Sequence, residues 1–130
     1  MLKRVDHIGI IVDDLDAAKR FLGQALNLTL RREIDRPERA FKAAFFGCGD
    51  LDLEVIEVTE PEARWRRLGN NEARLEHIAI EVDDLFETLK ALEDLGVRTA
   101  TAPTRTTAGI SAFTDPSTTD GVMYQLLQKR

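Results

Sequence analysis

The chain repeats part of its own sequence, and this repeat constrains the fold more than any other feature. Residues 5–15 read VDHIGIIVDDL and residues 75–85 read LEHIAIEVDDL, with seven identities in eleven positions. A second match, at an offset of 71, aligns Leu53–Glu57 with Tyr124–Gln128. Because the beginnings and the ends of the two halves match, the sequence predicts a duplicated unit.

The composition fits one compact domain with a sizeable core. Of 130 residues, 43 % are hydrophobic and 32 % charged, and the formal net charge is −5. This acidic balance, with one Trp and one Tyr, argues against nucleic acid as the main partner. No apolar run approaches the ~20 residues of a membrane helix, and no signal-peptide stretch begins the chain. Since Cys48 is the single cysteine, we expect a cytoplasmic protein without disulfides or membrane partners.

Hydrophobic periodicity gives the elements of the first half. Val5–Val12 alternates as a strand does, and Asp13 or Asp14 is expected to cap the helix that follows. The charged connector Arg31–Arg39 is predicted to be a loop or a frayed strand end. Phe41–Phe46 and Leu51–Val58 are predicted to pair around a tight turn at residues 47–50. The helix has an apolar stripe of Leu15, Ala18, Leu22, Ala25 and Leu26.

The second half follows the same plan. A strand at Leu75–Val82 leads into a helix from about Leu85 to Leu95, which Gly96 stops. This helix is predicted to bury Leu85, Leu89, Leu92 and Leu95. The predicted strands are Val97–Ala100, Ile110–Thr114 and Val122–Gln128, the predicted loop is Thr101–Gly109, and the predicted linker helix is Pro61–Leu68. One half alone could not bury both its helix and its sheet face, so the halves are expected to pair.

Four polar residues at repeat-matched positions predict a metal site. His7 and His77 are the only histidines, and each precedes a small residue on the same strand face. Glu54 and Gln125 also match and lie among aliphatic residues, where an unpaired carboxylate is costly. Two imidazoles, a carboxylate and an amide oxygen would suit a divalent transition metal. A strand histidine is more often a core or surface residue, but the repeat pairing favours the metal interpretation.

The segments HIGIIVDDL, HIAIEVDDL, GDLDLEVIE and DPSTTDGVMYQLL resemble the vicinal oxygen chelate superfamily. This superfamily includes glyoxalase I, methylmalonyl-CoA epimerase, extradiol dioxygenases and bleomycin-resistance binders. The resemblance covers about residues 5–128 and is strongest to methylmalonyl-CoA epimerases. It implies an α+β fold in which two tandem βαβββ modules form one cup-shaped mixed sheet with helices outside. The implied boundaries, within a single domain 1–130, are about 4–58 and 75–128, with a linker at 59–74.

The resemblance also implies the roles of the site residues. His7, Glu54, His77 and Gln125 would bind a divalent metal ion, with Co, Mn, Ni, Zn and Fe left open. Glutamate is usual at the position of Gln125, and epimerases tend to place a carboxylate on the second strand of the first module. Phe41–Phe46, interpreted as that strand, contains no acid. Glu54 is therefore the leading candidate for the catalytic base. Asp52, on the same strand face as Glu54, is a second possible base, but its place near the start of the strand favours a solvent-facing turn residue.

These observations leave several functions open. The first hypothesis is a metal-dependent epimerase or other isomerase that stabilises the enolate of a small chelating acyl substrate such as an acyl-CoA. A glyoxalase I-like lyase is the alternative, and a ring-cleaving dioxygenase ranks lower because Gln125 replaces its usual carboxylate. A non-catalytic bleomycin-resistance-type binder is the rival from another class.

A homodimer is expected because superfamily members of this size commonly form one, and the helix with Trp65 is either a dimer contact or plain surface. Five arginines could either contact the phosphates of a CoA substrate or simply be solvated surface residues: Arg31, Arg32, Arg36, Arg39 and Arg105.

Overall fold

The computed structural model describes residues 2–130, and these form eight β-strands and three α-helices. In chain order the elements are β1 (Leu2–Val12), α1 (Leu15–Arg20), β2 (Thr29–Arg36), β3 (Phe41–Cys48), β4 (Leu51–Val58), α2 (Pro61–Leu68), β5 (Ala73–Val82), α3 (Leu85–Glu93), β6 (Thr104–Thr106), β7 (Gly109–Phe113) and β8 (Met123–Lys129). This is the α+β class that the sequence predicts. Between residues 2 and 130, no helix has the length and apolar character needed to cross a membrane.

The chain divides into two compact units, and each has the order βαβββ. The first unit comprises His7–Glu76, and the second comprises His77–Arg130 with the residues up to Asp6. Strands of the first unit are ordered β2-β3-β4-β1, and those of the second β6-β7-β8-β5. In both units the first and last strands pair in parallel and the other neighbours pair antiparallel. The duplication that the sequence predicts is therefore present in the topology.

Two apolar clusters lie on opposite faces of the sheet in the first unit. One joins Leu15 and Leu22, in and just after α1, to buried residues of β1, β3 and β4. The other joins Leu68 of α2 to Ile11, Ala43, Ile56 and Val58. Because alternate strand residues share a face, Ile11 lies on the same face as His7. Helix α2 thus covers one end of the face on which His7 lies.

The second unit has one apolar cluster beneath α3. Its buried members are Val82, Leu85, Ile110, Ala112 and Leu126, and Leu89 and Leu92 pack against it. The prediction that Leu95 is buried is wrong, since this side chain is 81 % exposed. Helix α3 ends at Glu93, and the chain then turns through Gly96 at a φ of 86°. Leu95 therefore lies in the turn, beyond the last residue of the apolar stripe.

Helices α1 and α3, which follow the first strand of each unit, are capped in the same way. Asp14 accepts a hydrogen bond from the Ala17 N–H at 3.1 Å, and Asp84 accepts one from the Glu87 N–H at 3.0 Å. The last strand supplies a second acceptor: Glu57 Oε1 binds the first N–H of α1, and Gln128 Oε1 binds that of α3. At these matched positions, glutamate and glutamine therefore accept the same hydrogen bond.

Two connectors contain more strand than the sequence predicts, since Arg31–Arg39 is expected to be a loop or a frayed strand end. Most of the segment Arg31–Arg39 belongs to β2, which pairs with β3 before a 3-10 turn at Pro37–Arg39. Residues Thr104–Thr106, predicted to be loop, form β6, whereas Val97–Ala100 contributes only an isolated bridge from Thr99 to Thr114. Strands β2 and β6 end their sheets and are largely exposed. They therefore lack the apolar alternation that marks buried strands.

Candidate functional site

The first unit brings His7 and Glu54 together on neighbouring strands. His7 is 6 % exposed, and its Nε2 lies 3.3 Å from Glu54 Oε1. The Phe45 ring contacts the His7 imidazole edge-on, with 5.8 Å between ring centroids and an angle of 81°. Strand register explains this proximity, since Phe45 and Gly9 are both register partners of Glu54. Gly9 carries no side chain and therefore leaves space beside the carboxylate.

The His7 imidazole and the Glu54 carboxylate could supply two of the ligands of a metal ion. An imidazole nitrogen and a carboxylate oxygen are ligands that divalent first-row metals accept. Burying a carboxylate is expensive unless a cation, a hydrogen bond or a metal compensates it. The buried His7–Glu54 pair therefore fits a divalent cation.

The second unit repeats this arrangement with an amide in place of the carboxylate. His77 is buried, and the Phe113 ring contacts it edge-on at 5.3 Å and 87°. Gln125 lies on the adjacent strand in register with Ala79, and its Nε2 donates to Ser111 Oγ at 3.2 Å. The amide oxygen of Gln125 is then the atom that could serve as a ligand. That Gln125 binds a metal stays a prediction.

Asp52 lies on the site face, which corrects the expectation that it faces solvent. It is the register partner of His7 and shares a strand face with Glu54. Its Oδ1 is buried, accepts no hydrogen bond from residues 2–130, and lies 3.4 Å from Arg31 Nε. Period-2 alternation places Asp52 on the face of Glu54, two positions away, as the second candidate base, and only its exposure to solvent was wrongly favoured. The first unit thus presents two carboxylates on one face.

The second strand of the first unit is Thr29–Arg36, which corrects the interpretation of Phe41–Phe46 as that strand. Its acids, Glu33 and Asp35, alternate with Arg32 and Ile34, and Arg32 is the residue that contacts Phe45. Glu33 instead forms an ion pair with Lys19 of α1. The second strand therefore places no carboxylate on the site face.

Helix α2 contributes a buried ion pair that the sequence did not reveal. Arg67 donates from Nε and from a terminal nitrogen to the two carboxylate oxygens of Glu76, both at 2.8 Å, and the Glu76 side chain is 5 % exposed. The hydrogen bonds to Glu76 raise the pKa of Arg67, and the negative charge of Glu54 raises it further. Arg67 is therefore a fixed positive charge that acts on Glu54. Trp65, on the same helix, is 62 % exposed.

The comparison with known families defines the class of this protein. A family model described as the Glyoxalase/Bleomycin resistance protein/Dioxygenase superfamily matches residues 4–126. The chain belongs to this superfamily, and the resemblance to the vicinal oxygen chelate group is confirmed. A lactoylglutathione lyase of Neisseria meningitidis serogroup B is 33 % identical over 98 % of this chain and 91 % of that protein. The uncharacterized protein YqjC of Bacillus subtilis is 32 % identical over 99 % of this chain and 94 % of its own length.

Solved structures of methylmalonyl-CoA epimerases share the fold. A variant of the Streptomyces coelicolor epimerase, in complex with 2-nitronate-propionyl-CoA, is 28 % identical with a TM-score of 0.87, covering 99 % of this chain and 96 % of that one. An epimerase in complex with methylmalonyl-CoA and NH4+ is 27 % identical, with the same TM-score and coverage. The Mycobacterium tuberculosis epimerase, at 22 % identity, a TM-score of 0.88, and coverage of 99 % and 89 %, shows the fold alone. The relatives and neighbours whose names state an activity are lyases and epimerases, which are enzymes.

Proposed function

We propose that this protein is a metal-dependent epimerase whose substrate is a small acyl compound that can chelate a metal through two oxygens, as methylmalonyl-CoA can. The observation that carries the proposal is the buried His7–Glu54 pair, whose pattern His77 and Gln125 repeat in the second unit. Structural similarity to epimerases supports this choice of reaction. A glyoxalase I-like lyase is the second candidate, which the relatives named lactoylglutathione lyase favour.

The proposed metal ligands are His7, Glu54 and His77, with the Gln125 amide oxygen as a fourth. The side chains of His7, Glu54 and His77 are each buried, and imidazole and carboxylate groups are ligands that divalent metals accept. When bound, a divalent cation would withdraw charge from two substrate oxygens and so favour loss of the adjacent proton. Imidazole and carboxylate ligands are compatible with Co, Mn, Ni, Zn and Fe, so the donor set does not select among them.

The proton is proposed to be moved by Glu54. General base catalysis needs a group that can accept a proton within hydrogen-bond reach of the substrate, and the amide of Gln125 cannot accept one. Glu54 would then bind the metal, take the α-proton from the substrate and return a proton to the opposite face of the same carbon. Asp52 is the other carboxylate on this face, and its buried Oδ1 makes it the residue to test beside Glu54. Phe45 keeps the His7 ring in place through its edge-on contact.

Metal analysis tests the ligand proposal directly. We expect wild-type protein, purified without a His-tag or chelator, to carry about one divalent metal ion per chain and the His7→Ala, His77→Ala double variant to carry none. Glu54→Gln should bind the metal more weakly, because a neutral amide oxygen is a poorer ligand than a carboxylate. Its matched control is Glu57→Gln, because Glu57 lies on the same strand, faces α1 and has a glutamine at the repeat-matched position. A wild type that takes up none of the five metals would refute the site.

Isotope exchange distinguishes the candidate reactions. Methylmalonyl-CoA in D2O should gain deuterium at its α-carbon with wild type, and Glu54→Gln should abolish this exchange. Asp52→Asn should retain most of it if Glu54 is the base. Turnover of the methylglyoxal–glutathione hemithioacetal without exchange of methylmalonyl-CoA would favour the lyase. No reaction with either substrate by metal-loaded protein would support the non-catalytic binder.

The proposal also includes a homodimer in the cytoplasm. The single cysteine, Cys48, which can form no disulfide within the chain, supports a reducing compartment. Multi-angle light scattering should give twice the mass of one chain at micromolar concentration. A mass of one chain would remove the dimer from the proposal and leave the metal site unaffected.

A further inference from the structure

A β-bulge in the first unit turns two consecutive arginines toward the site face. Leu30 is the register partner of Phe46 and Arg32 that of Phe45, so Arg31 is an extra residue without a partner on β3. In a bulge of this kind, neighbouring side chains no longer point to opposite faces, and bulges commonly re-aim side chains beside active sites. Here the contacts of both arginines are with residues of one face.

Arg32 lies over the ring that holds His7. Its guanidinium carbon is 4.2 Å from the centroid of Phe45, and Phe45 contacts the His7 ring edge-on. Within residues 2–130 the Arg32 guanidinium has no carboxylate or carbonyl partner at hydrogen-bond distance, and the residue is exposed. The ring therefore fixes the position of the guanidinium while its donors remain available to a ligand.

The Arg31 guanidinium lies directly against Gly47. A Cβ at Gly47 would clash with the Arg31 guanidinium. A terminal nitrogen donates to the Gly49 carbonyl at 3.3 Å, and Nε lies 3.4 Å from Asp52 Oδ1. Gly47 and His7 are both register partners of Asp52. Arg31 thus lies beside the register partners Gly47, Asp52 and His7. The next set of register partners on this face contains Phe45 and Glu54.

We propose that Arg31 and Arg32 bind an anionic oxygen group of the substrate, a carboxylate or a phosphate, on the arm remote from the chelating oxygens. A planar guanidinium group matches such anions with paired hydrogen bonds, and both groups contact residues of the same face. Arg67 is held by both carboxylate oxygens of Glu76, whereas Arg31 approaches Asp52 through Nε and its side chain remains 52 % exposed. Arg36 is the last residue of β2, at the other end of the strand from the bulge. The inference rests on the proposed function, because it assigns this pair to that site's substrate. Coenzyme A carries such phosphates and glutathione carries such carboxylates.

Direct binding separates this inference from the catalytic proposal. We would titrate metal-free protein with coenzyme A, S-methylglutathione and inorganic phosphate by calorimetry, which requires neither turnover nor metal. Arg31→Ala and Arg32→Ala should each weaken binding of the preferred anion about tenfold or more, whereas Arg36→Ala should leave Kd within about twofold. Tighter binding of coenzyme A would identify a phosphate as the anion. Tighter binding of S-methylglutathione would identify a carboxylate.

Gly47→Ala tests this contact without removing a charge. Moving the Arg31 guanidinium aside should weaken binding by less than Arg31→Ala does, with circular dichroism confirming that the protein remains folded. The inference is overturned if wild type binds none of the three probes, or if the two arginine variants bind as wild type does. Either result leaves metal content and isotope exchange unchanged, so failure of the inference and failure of the proposed function are distinguishable.

Discussion

Replacing Arg67 should destabilise the protein more than a surface arginine would. Arg67 makes two 2.8 Å hydrogen bonds to Glu76, whose side chain is 5 % exposed, while its own side chain is 37 % exposed. Loss of one partner of a buried pair costs about 3–5 kcal/mol, because the remaining charge stays in a poorly solvated position. Water can reach the half-exposed arginine side of this pair. We therefore expect Arg67→Met to cost about 3 kcal/mol, at the low end of that range.

A double-mutant cycle isolates the pair from the packing of the helix. Glu76→Gln keeps an acceptor oxygen and leaves Arg67 able to meet water, so we expect a loss of about 1 kcal/mol. In the double variant no charge is buried, and its loss should be smaller than the two single losses together by about 2 kcal/mol. Methionine retains the unbranched stem of arginine, which limits the packing change to the end of the side chain.

Urea denaturation at pH 7, followed by circular dichroism, measures each free energy of unfolding. Arg66→Met is the matched control on the same helix, and it should change stability by less than about 0.5 kcal/mol. A coupling energy near zero would refute the reasoning, because it would mean that Arg67 and Glu76 behave like an exposed surface pair. A coupling near 2 kcal/mol would support a structural role for this charge beside the candidate site.

Two further predictions concern pH and packing. Hydrogen bonds from the N–H groups of Ala63 and Glu62 hold the pKa of Glu60 below its ordinary value of 4.5. The ionised Glu60 carboxylate therefore stabilises the folded protein above pH 4.5, and this stabilisation is lost as the pH falls through the lowered pKa of the folded state. The difference in urea midpoint between wild type and Glu60→Gln should therefore shrink from pH 7 to pH 3, and a constant difference would contradict the assignment. Leu85→Ala, at a fully buried position, should cost about 3 kcal/mol, whereas the exposed Leu95→Ala should cost less than about 0.5 kcal/mol. Equal losses in thermal or urea unfolding would mean that α3 extends further than Glu93.

Elements with a strong local signal were predictable from the sequence. The hairpin of β3 and β4 follows from two apolar runs around Gly47–Asp50, and the linker helix was predicted at its observed bounds, Pro61–Leu68. The helix after β1 was left with two candidate caps, and the structure selects Asp14 because Asp13 pairs with Arg64 of α2. That choice depends on a contact between residues far apart in the chain, which periodicity does not report.

Elements at the sheet edges were not predictable in this way. Strand β2 has one neighbour and mostly exposed side chains, so its residues need not alternate between apolar and polar. The bulge at Arg31 is also invisible in the sequence, because it depends on the register between β2 and β3. Without that register, the alternation in Leu30–Arg32 would place two neighbouring arginines on opposite faces.

The sequence by itself determined the duplication, the α+β class and the candidate ligands His7, Glu54, His77 and Gln125. Repeated columns and strand periods are local properties of the chain, and similar backbone units follow from similar patterns. Only the tertiary structure decided that His7 Nε2 meets Glu54 Oε1, that Asp52 stands opposite His7, and that Arg67 is paired with Glu76. These contacts depend on strand register and helix packing, which join residues separated by many positions in the chain.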